Sequence, residues 1–401
     1  MYGLRILKHK LWMGTVSLVS KMVKNPRPMV LVGENSSQQL CQLIAGYDVK
    51  QLLLVTDKDL ENLGLHQACI NALEEEGINV CVYSNVSPNP TIEQMQQGID
   101  LAKQSDCDAV LAIGGGSPMD AAKVIAAGVT NAMSISAMEG AFKLKQKTLP
   151  LFAIPTTAGT GSEVTVAAVV TDTQAKRKYT VADTKFVPQA TALDPTLMVG
   201  LPPKVTAATG VDALTHAVEA FISTRANEDV KRDAKIAIKL IFSHLETAYH
   251  NGSDIKARQA MAVASYHAGI AIADAGVGYV HAFAHQLGGM YHVPHGLANA
   301  VILPYVLDYS FDSIVDELAE LAVLIGMDGA ASGKQDLAEG FIQKVRLLCT
   351  NLALPNKVPE IQQQDIPVIV DRAITEAFDY FAVPKYMTYP QATRFVEALS
   401  V

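Results

Sequence analysis

The sequence has no CxxC pair. Its five cysteines, Cys41, Cys69, Cys81, Cys107 and Cys349, lie scattered along 401 residues. Such spacing gives no disulfide framework and points to a reducing compartment, with a cytoplasmic location expected. Positive charge is in deficit, 32 Lys and Arg against 40 Asp and Glu for a net charge of -8. That balance argues against a general nucleic-acid or anionic-membrane binder, while a local phosphate site survives on such a protein. No apolar run is long enough for a transmembrane helix. Leu11 to Val19 follows two lysines as a signal segment would, but Lys21 and Lys24 come next and no small-residue cleavage pattern appears. Residues 1–24 are therefore expected to be a surface helix, or a poorly ordered extension arising from a generous start codon. Fixed-period repeats, low-complexity tracts and a GxGxxG fingerprint are also missing.

What is present is a globular composition, 49% apolar and 18% charged, in a chain long enough for two domains. "QLLLVTD", "NVCVYSNV", "DAVLAIGGG" and "LPLFAIPTT" read as buried strands, separated by helix-period segments such as "QACINALEEEG" and "TIEQMQQGIDLAKQS". Strands alternating with amphipathic helices predict a parallel, Rossmann-like α/β sheet that takes ligands at its carboxyl ends. "TVAAVVTD", "RKYTVAD" and "ATALD" predict a hairpin excursion beside it. Beyond Pro202 and Pro203, long alanine-rich periodic runs predict an all-helical second domain. The expected division is 1–200, including the possible extension, and 201–401.

"AIGGGSPMDAAK" places Gly114, Gly115, Gly116 and Ser117 between a strand and a helix. Glycines let the backbone approach a phosphate, and the amides of the following helix start supply donors aligned with its dipole. A bare tight connection fits the glycines as well. A second polar strand end, "IPTTAGTGSE", offers the hydroxyls of Thr156, Thr157 and Thr160. Asp57 ends a third strand, where a carboxylate accepts hydrogen bonds from an adenosine ribose and repels a 2'-phosphate, favouring NAD over NADP. An N-cap role for Asp57 fits the spacing equally.

"TGVDALTHAVEA" sets Asp212 and His216 four residues apart, on one face of a helix among apolar neighbours. "HAFAHQLGGMYHVPHG" adds His281, His285, His292 and His295, with His281 and His285 on a helix ending near Gly288 and His295 in a loop. Asp212, His216, His281 and His295 make one oxygen and three nitrogen ligands, a set suited to Fe(II) or Zn and poorly suited to Ca or Mg. His285 and His292 also read as ordinary hydrogen-bonded or exposed histidines, and His244, His250 and His267 as helix residues without further role.

From about Arg27 to about Tyr386 the chain resembles the iron-containing, or group III, alcohol dehydrogenase family of the dehydroquinate synthase-like fold. The resemblance runs through Thr56 and Asp57, "SPNPT" from Ser87 to Thr91, "GGGSPMDAAK", "IPTTAGTGSEVT", "GVDALTHAVE" and "VHAFAHQLGGMYHVPHGLANAVILPYV". It implies a two-domain enzyme with NAD or NADP in the cleft and a divalent metal, iron first and zinc second, on Asp212, His216, His281 and His295. Pyrophosphate contacts would fall on Gly115, Gly116 and Ser117, further cofactor contacts on Asn89, Thr156, Thr157, Thr160 and Lys178. Asp120 would lie near the nicotinamide-side ribose or substrate, and His285, a non-ligand, beside nicotinamide and substrate. Ala167 stands where some members carry a cofactor-contacting asparagine. The expected activity is reversible hydride transfer between a small primary alcohol or diol and NAD, in a homodimer or higher homo-oligomer. A lyase of the same fold that uses NAD transiently and a non-redox metallohydrolase are the competing readings.

Overall fold

The computed structural model describes residues 3, 5–11, 13, 14, 25–175, 177–329 and 333–401. Two compact units emerge. One comprises Asn25–Leu201 with Gly252–Tyr266; the other comprises Pro202–Asn251 and His267–Val401 together with the described residues before Asn25.

In the first unit six parallel strands make one sheet: β1 (Met29–Val32), β2 (Gln51–Val55), β3 (Asn79–Tyr83), β4 (Ala109–Gly114), β6 (Leu151–Pro155) and β9 (Ala190–Leu193), in the order β1-β9-β6-β4-β2-β3. Strands buried on both faces need apolar side chains at every position. Accordingly Leu53, Val55, Val110 and Ala112 pack towards the helices Ile92–Gln104 and Gly116–Thr130. Leu52, Leu54, Leu111 and Ile113 pack to the opposite side with Leu40, Ile44 and Leu73 of the helices Ser36–Ala45 and Gln67–Glu75. The first two of these helices lock through reciprocal glycine gaps. A Cβ on Gly98 would meet Ile125 Cδ1 at 2.3 Å, and one on Gly128 would meet Ile99 Cδ1 at 2.2 Å. Neglecting the edge strand β1, the order is that of a doubly wound sheet whose direction of winding reverses between β2 and β4, the place where such sheets take ligands.

β7 (Ala167–Asp172) and β8 (Arg177–Ala182) form the expected antiparallel hairpin, extended by β5 (Gly140–Ala141) in a small second sheet. "ATALD" does not belong to that excursion: β9 runs parallel to both β6 and β1 in the main sheet. Its residues are wholly buried, so alternation gave no sign of which sheet it enters. β1 was likewise not distinguished in the sequence, since its four residues are partly exposed at the sheet edge.

The second unit is helical, with helices Pro203–Ile222, Glu228–His250, Tyr279–Tyr291, His295–Ser310, Val315–Leu324, Lys334–Asn351, Ile366–Tyr380 and Tyr389–Leu399. Helix Ile255–Ala275 begins in the first unit and ends in the second. Arg258, 2% exposed, ties the first unit's crossing points by donating to the carbonyls of Gly252 at 2.9 Å and Leu201 at 3.1 Å. Near the N-terminus, residues 5–11 are helical and His9 is buried, with Nδ1 2.9 Å from the Tyr386 hydroxyl; residues 1, 2, 4, 12 and 15–24 of the expected surface segment lie outside the described residues. No single helix among the described residues is long and apolar enough to cross a membrane.

Candidate metal centre and nucleotide site

Pro203 opens the helix Pro203–Ile222 at a position where a missing amide hydrogen costs nothing. Asp212, His216 and Glu219 follow at spacings of four and three, so all three share one inward face. They are 2%, 5% and 3% exposed. The helix Tyr279–Tyr291 brings His281, 3% exposed, against them, its ring stacked on His216 with centroids 4.7 Å apart.

His292, at φ 57°, ends that helix in the left-handed region, and the chain turns through Pro294. His295 does not sit in a loop as expected. It is the first residue of helix His295–Ser310, because Pro294 stops one helix and sets the start of the next. Gly296 allows this start to close on the aspartate-bearing helix: a Cβ there would lie 2.4 Å from the Ala208 carbonyl oxygen.

Asp212, His216, His281 and His295 each present one donor atom, all within 4.8 Å of one another. Asp212 Oδ1 is 3.7 Å from His295 Nε2 and 4.0 Å from His216 Nε2. Donors bonded to one ion at about 2.0–2.2 Å would stand roughly 3–4 Å apart. Side-chain adjustment alone closes the set on a cation.

The electrostatics agree. Burial pushes the His281 imidazole well below its ordinary pKa, with His216 adding to the shift. His295, although its side chain is 42% exposed, is pushed down by the same loss of solvation. Both rings therefore stay neutral near pH 7, the form that ligates. Burial works to raise Asp212, but the positive charge the imidazoles carry when protonated, with the Asn299 amide, outweighs it and holds the carboxyl below its usual range. An acidic group that stays ionised beside neutral imidazoles is a cation site by its chemistry.

Three neighbours of this cluster escaped the sequence reading. Asn299, fully buried one turn beyond His295, directs Nδ2 at Asp212 Oδ1 (2.6 Å) and at Nε2 of His281 and His295 (3.2 Å each), leaving its own Oδ1 without a hydrogen-bond partner. Glu219 lies 2.6 Å from His281 Nδ1. Glu376, on helix Ile366–Tyr380, lies 2.6 Å from Nδ1 of His285 and also accepts from Gln286 at 3.0 Å. The spacing of Asn299 from His295 and of Glu219 from His216 carried the signal for two of them; Glu376 is 91 residues from its partner and carried none. His285 stands off the cluster, its ring stacked on His295 at 5.5 Å. His267 is hydrogen-bonded to Asp233 at 2.8 Å, and His292 is exposed.

In the first unit the carboxyl ends of β2, β4 and β6 lie side by side. Gly115 is the N-cap of helix Gly116–Thr130, which has no side-chain cap. The threonine segment closes over it: a Cβ on Gly116 would meet Thr160 Cγ2 at 2.8 Å, and one on Gly115 would meet Thr157 at 3.4 Å. Thus Gly115, Gly116, Ser117, Thr156, Thr157 and Thr160 are gathered at one edge. Asp57, across the winding reversal, caps helix Lys58–Asn62 by accepting from Leu60 N at 2.9 Å through Oδ1. Asn89, at φ 62°, accepts from Lys178 Nζ at 2.6 Å.

Asp120 has both oxygens occupied, by Ser162 Oγ at 2.7 Å and Val169 N at 2.9 Å. Beneath it lies Lys123, 1% exposed, which the sequence reading passed over. Its ammonium donates to Ser162 Oγ, Thr165 Oγ1 and the Ala167 carbonyl at 2.8–3.0 Å. The carbonyl of Ala167, the departing position, is thereby part of this buried network. Burial lowers the Lys123 pKa to about 8 and raises that of neighbouring Glu163 to about 7.

A doubly wound sheet with glycines and threonines gathered at the carboxyl ends of its strands, and a helical unit with an aspartate–trihistidine cluster, fit a metal-dependent, dinucleotide-linked oxidoreductase. Residues 27–195 match the family description "Iron-containing alcohol dehydrogenase", and residues 206–398 match "Fe-containing alcohol dehydrogenase family, C-terminal". The chain belongs to the iron-containing alcohol dehydrogenase family. Alcohol dehydrogenase 4 of Saccharomyces cerevisiae (strain ATCC 204508 / S288c) is 38% identical over 87% of this chain and 91% of its own length. The 1,3-propanediol dehydrogenase of Klebsiella pneumoniae is 38% identical over 88% and 90%. Among solved structures, an alcohol dehydrogenase from Oenococcus oeni superposes with a TM-score of 0.90 at 33% identity, covering 93% of this chain and 98% of that one. The enzyme carries out NAD-linked redox chemistry on small alcohols and aldehydes, which sets aside the lyase and hydrolase readings.

Proposed function

We propose that the chain interconverts a short primary alcohol or diol and its aldehyde, with a divalent cation held by Asp212, His216, His281 and His295. The convergence of those four donors on one point carries the reading. When bound, the cation would supply Lewis-acid polarisation of the substrate oxygen and NAD the hydride acceptor or donor. The buried Asp212 keeps the site anionic, and the neutral imidazoles orient the rest of the ligand set. His285, beside His295 and with Nδ1 engaged by Glu376, exchanges the hydroxyl proton at Nε2.

Amides at Gly115, Gly116 and Ser117 take the pyrophosphate, and Thr156, Thr157 and Thr160 contribute hydroxyls. Asp57 accepts from the adenosine ribose with the oxygen its cap does not use. Lys178 and Asn89 act as a hydrogen-bonded pair at the cofactor. Asp120, with its oxygens already engaged, serves by fixing the start of β7 beside the nicotinamide-side ribose. Relatives named 1,3-propanediol dehydrogenase and NAD-dependent methanol dehydrogenase support a short substrate. A cytoplasmic homodimer completes the reading; free cysteines support the location, and apolar Met29, Val30 and Val32 exposed on the edge strand support self-association.

The test is elemental analysis of protein purified without added metal, followed by a panel of alcohols and aldehydes scored with NAD and NADP in parallel. Stoichiometric iron or zinc with NAD-linked turnover of a short alcohol is expected. Turnover that persists after the metal is stripped would overturn the reading.

A further inference from the structure

We propose that Glu219 is a positioning residue for the metal centre, fixing His281 in the tautomer that turns its Nε2 lone pair towards the cation. This deepens, and rests on, the assignment of the four ligands. Glu219 sits on the same helix as Asp212 and His216 but acts on a ligand from another helix. Its Oε1 accepts from Val280 N at 2.7 Å, and its Oε2 accepts from Gly278 N at 2.9 Å. Both amides are obligate donors at the start of helix Tyr279–Tyr291, whose N-cap, Gly278, has no side chain to satisfy them.

Gly278 is what lets the carboxylate in: a Cβ there would stand 2.8 Å from Glu219 Oε1. An acceptor so placed requires a donor at His281 Nδ1, 2.6 Å from Oε2. A neutral imidazole carries one N–H, so a proton on Nδ1 leaves Nε2 as the acceptor. The other side of the ring supports the same assignment: Nε2 faces the Asn299 Nδ2, a donor, at 3.2 Å. A carboxylate behind a ligating histidine sets both the ring's orientation and its basicity. Here the same carboxylate also caps the helix that delivers the ring, and a negative charge is favoured at that end.

Glu219→Gln removes the charge behind the ring and leaves one acceptor for two sets of donors. With its oxygen at the Oε2 position the NH2 opposes Val280 N; turned the other way, the NH2 opposes Gly278 N and His281 Nδ1 and favours the tautomer with N–H at Nε2. The experiment measures Zn(II) and Fe(II) affinity of parent and variant by chelator competition, with NADH binding followed by fluorescence in both. Nitrogen-15 NMR of His281 in metal-free protein reports the tautomer. Expected are a loss of roughly 10–100-fold in metal affinity, NADH binding unchanged, and an Nδ1–H tautomer in the parent. A variant that binds metal as tightly as the parent overturns the proposal, as does an Nε2–H tautomer in the parent protein, which is read even if the variant does not fold. A parent that takes up no metal at the cluster would instead sink the ligand assignment on which this one rests.

Discussion

At the scale of single residues, Asp57 and His285 offer the sharpest separations of role. Asp57 caps a short helix and also carries the charge held to exclude a 2'-phosphate. Asn caps as well as Asp, so Asp57→Asn removes the charge and keeps the cap. Its ratio of kcat/KM for NADP over NAD should rise roughly tenfold, about 1.4 kcal/mol, with no change in Tm; Asp57→Ala should show the same gain together with a stability loss of about 1 kcal/mol. His285→Ala should lower kcat by roughly 100-fold or more while metal content, read by elemental analysis, stays stoichiometric. Loss of the metal would make His285 a ligand instead. The ligands were legible because Asp212 and His216 repeat at one helical turn and the histidines cluster. Asn299 and Glu219 were hidden by their ordinariness, a polar residue on a helix face being common, and Glu376 by the 91 residues that separate it from His285.

At the scale of elements, close approach of backbones decides the geometry. Gly296→Ala would drive a Cβ into the Ala208 carbonyl, which cannot move without its helix. It should cost roughly 1–3 kcal/mol of stability, as overpacking does, and weaken metal binding by displacing His295 from Asp212. The buried Glu163 offers a pH signature. Its folded pKa, raised to about 7 by burial, exceeds the value of an unfolded glutamate. Its stabilising contribution is therefore full below the unfolded pKa and is lost as pH rises towards 7, at roughly 1.4 kcal/mol per pH unit in that window. Glu163→Gln should flatten Tm against pH between about 4.5 and 7, as calorimetry would show. Strands β2, β3, β4 and β6 could be read directly because apolar runs end at threonine, serine or glycine. β9 could not be assigned to its sheet: four buried residues fit either one, and only tertiary pairing chooses.

For the whole molecule, removing the cation should lower Tm, and adding back iron or zinc should restore it, since a ligand bound only by the folded state stabilises it by mass action. A scanning calorimetry trace unaffected by chelation would count against a resident metal. The change of texture at Pro202 was visible in the sequence, but the return of Gly252–Tyr266 to the first unit was not, because helix Ile255–Ala275 has one unbroken pattern from end to end. That return makes the α/β unit discontinuous in sequence. A gene cut at Leu201 would yield an amino-terminal fragment without the segment whose Arg258 binds the carbonyl of Leu201, and a carboxyl-terminal fragment burdened with a stretch whose home it has lost. A transplant of the α/β unit would have to carry Gly252–Tyr266 with it, so a single crossover point does not exchange it whole.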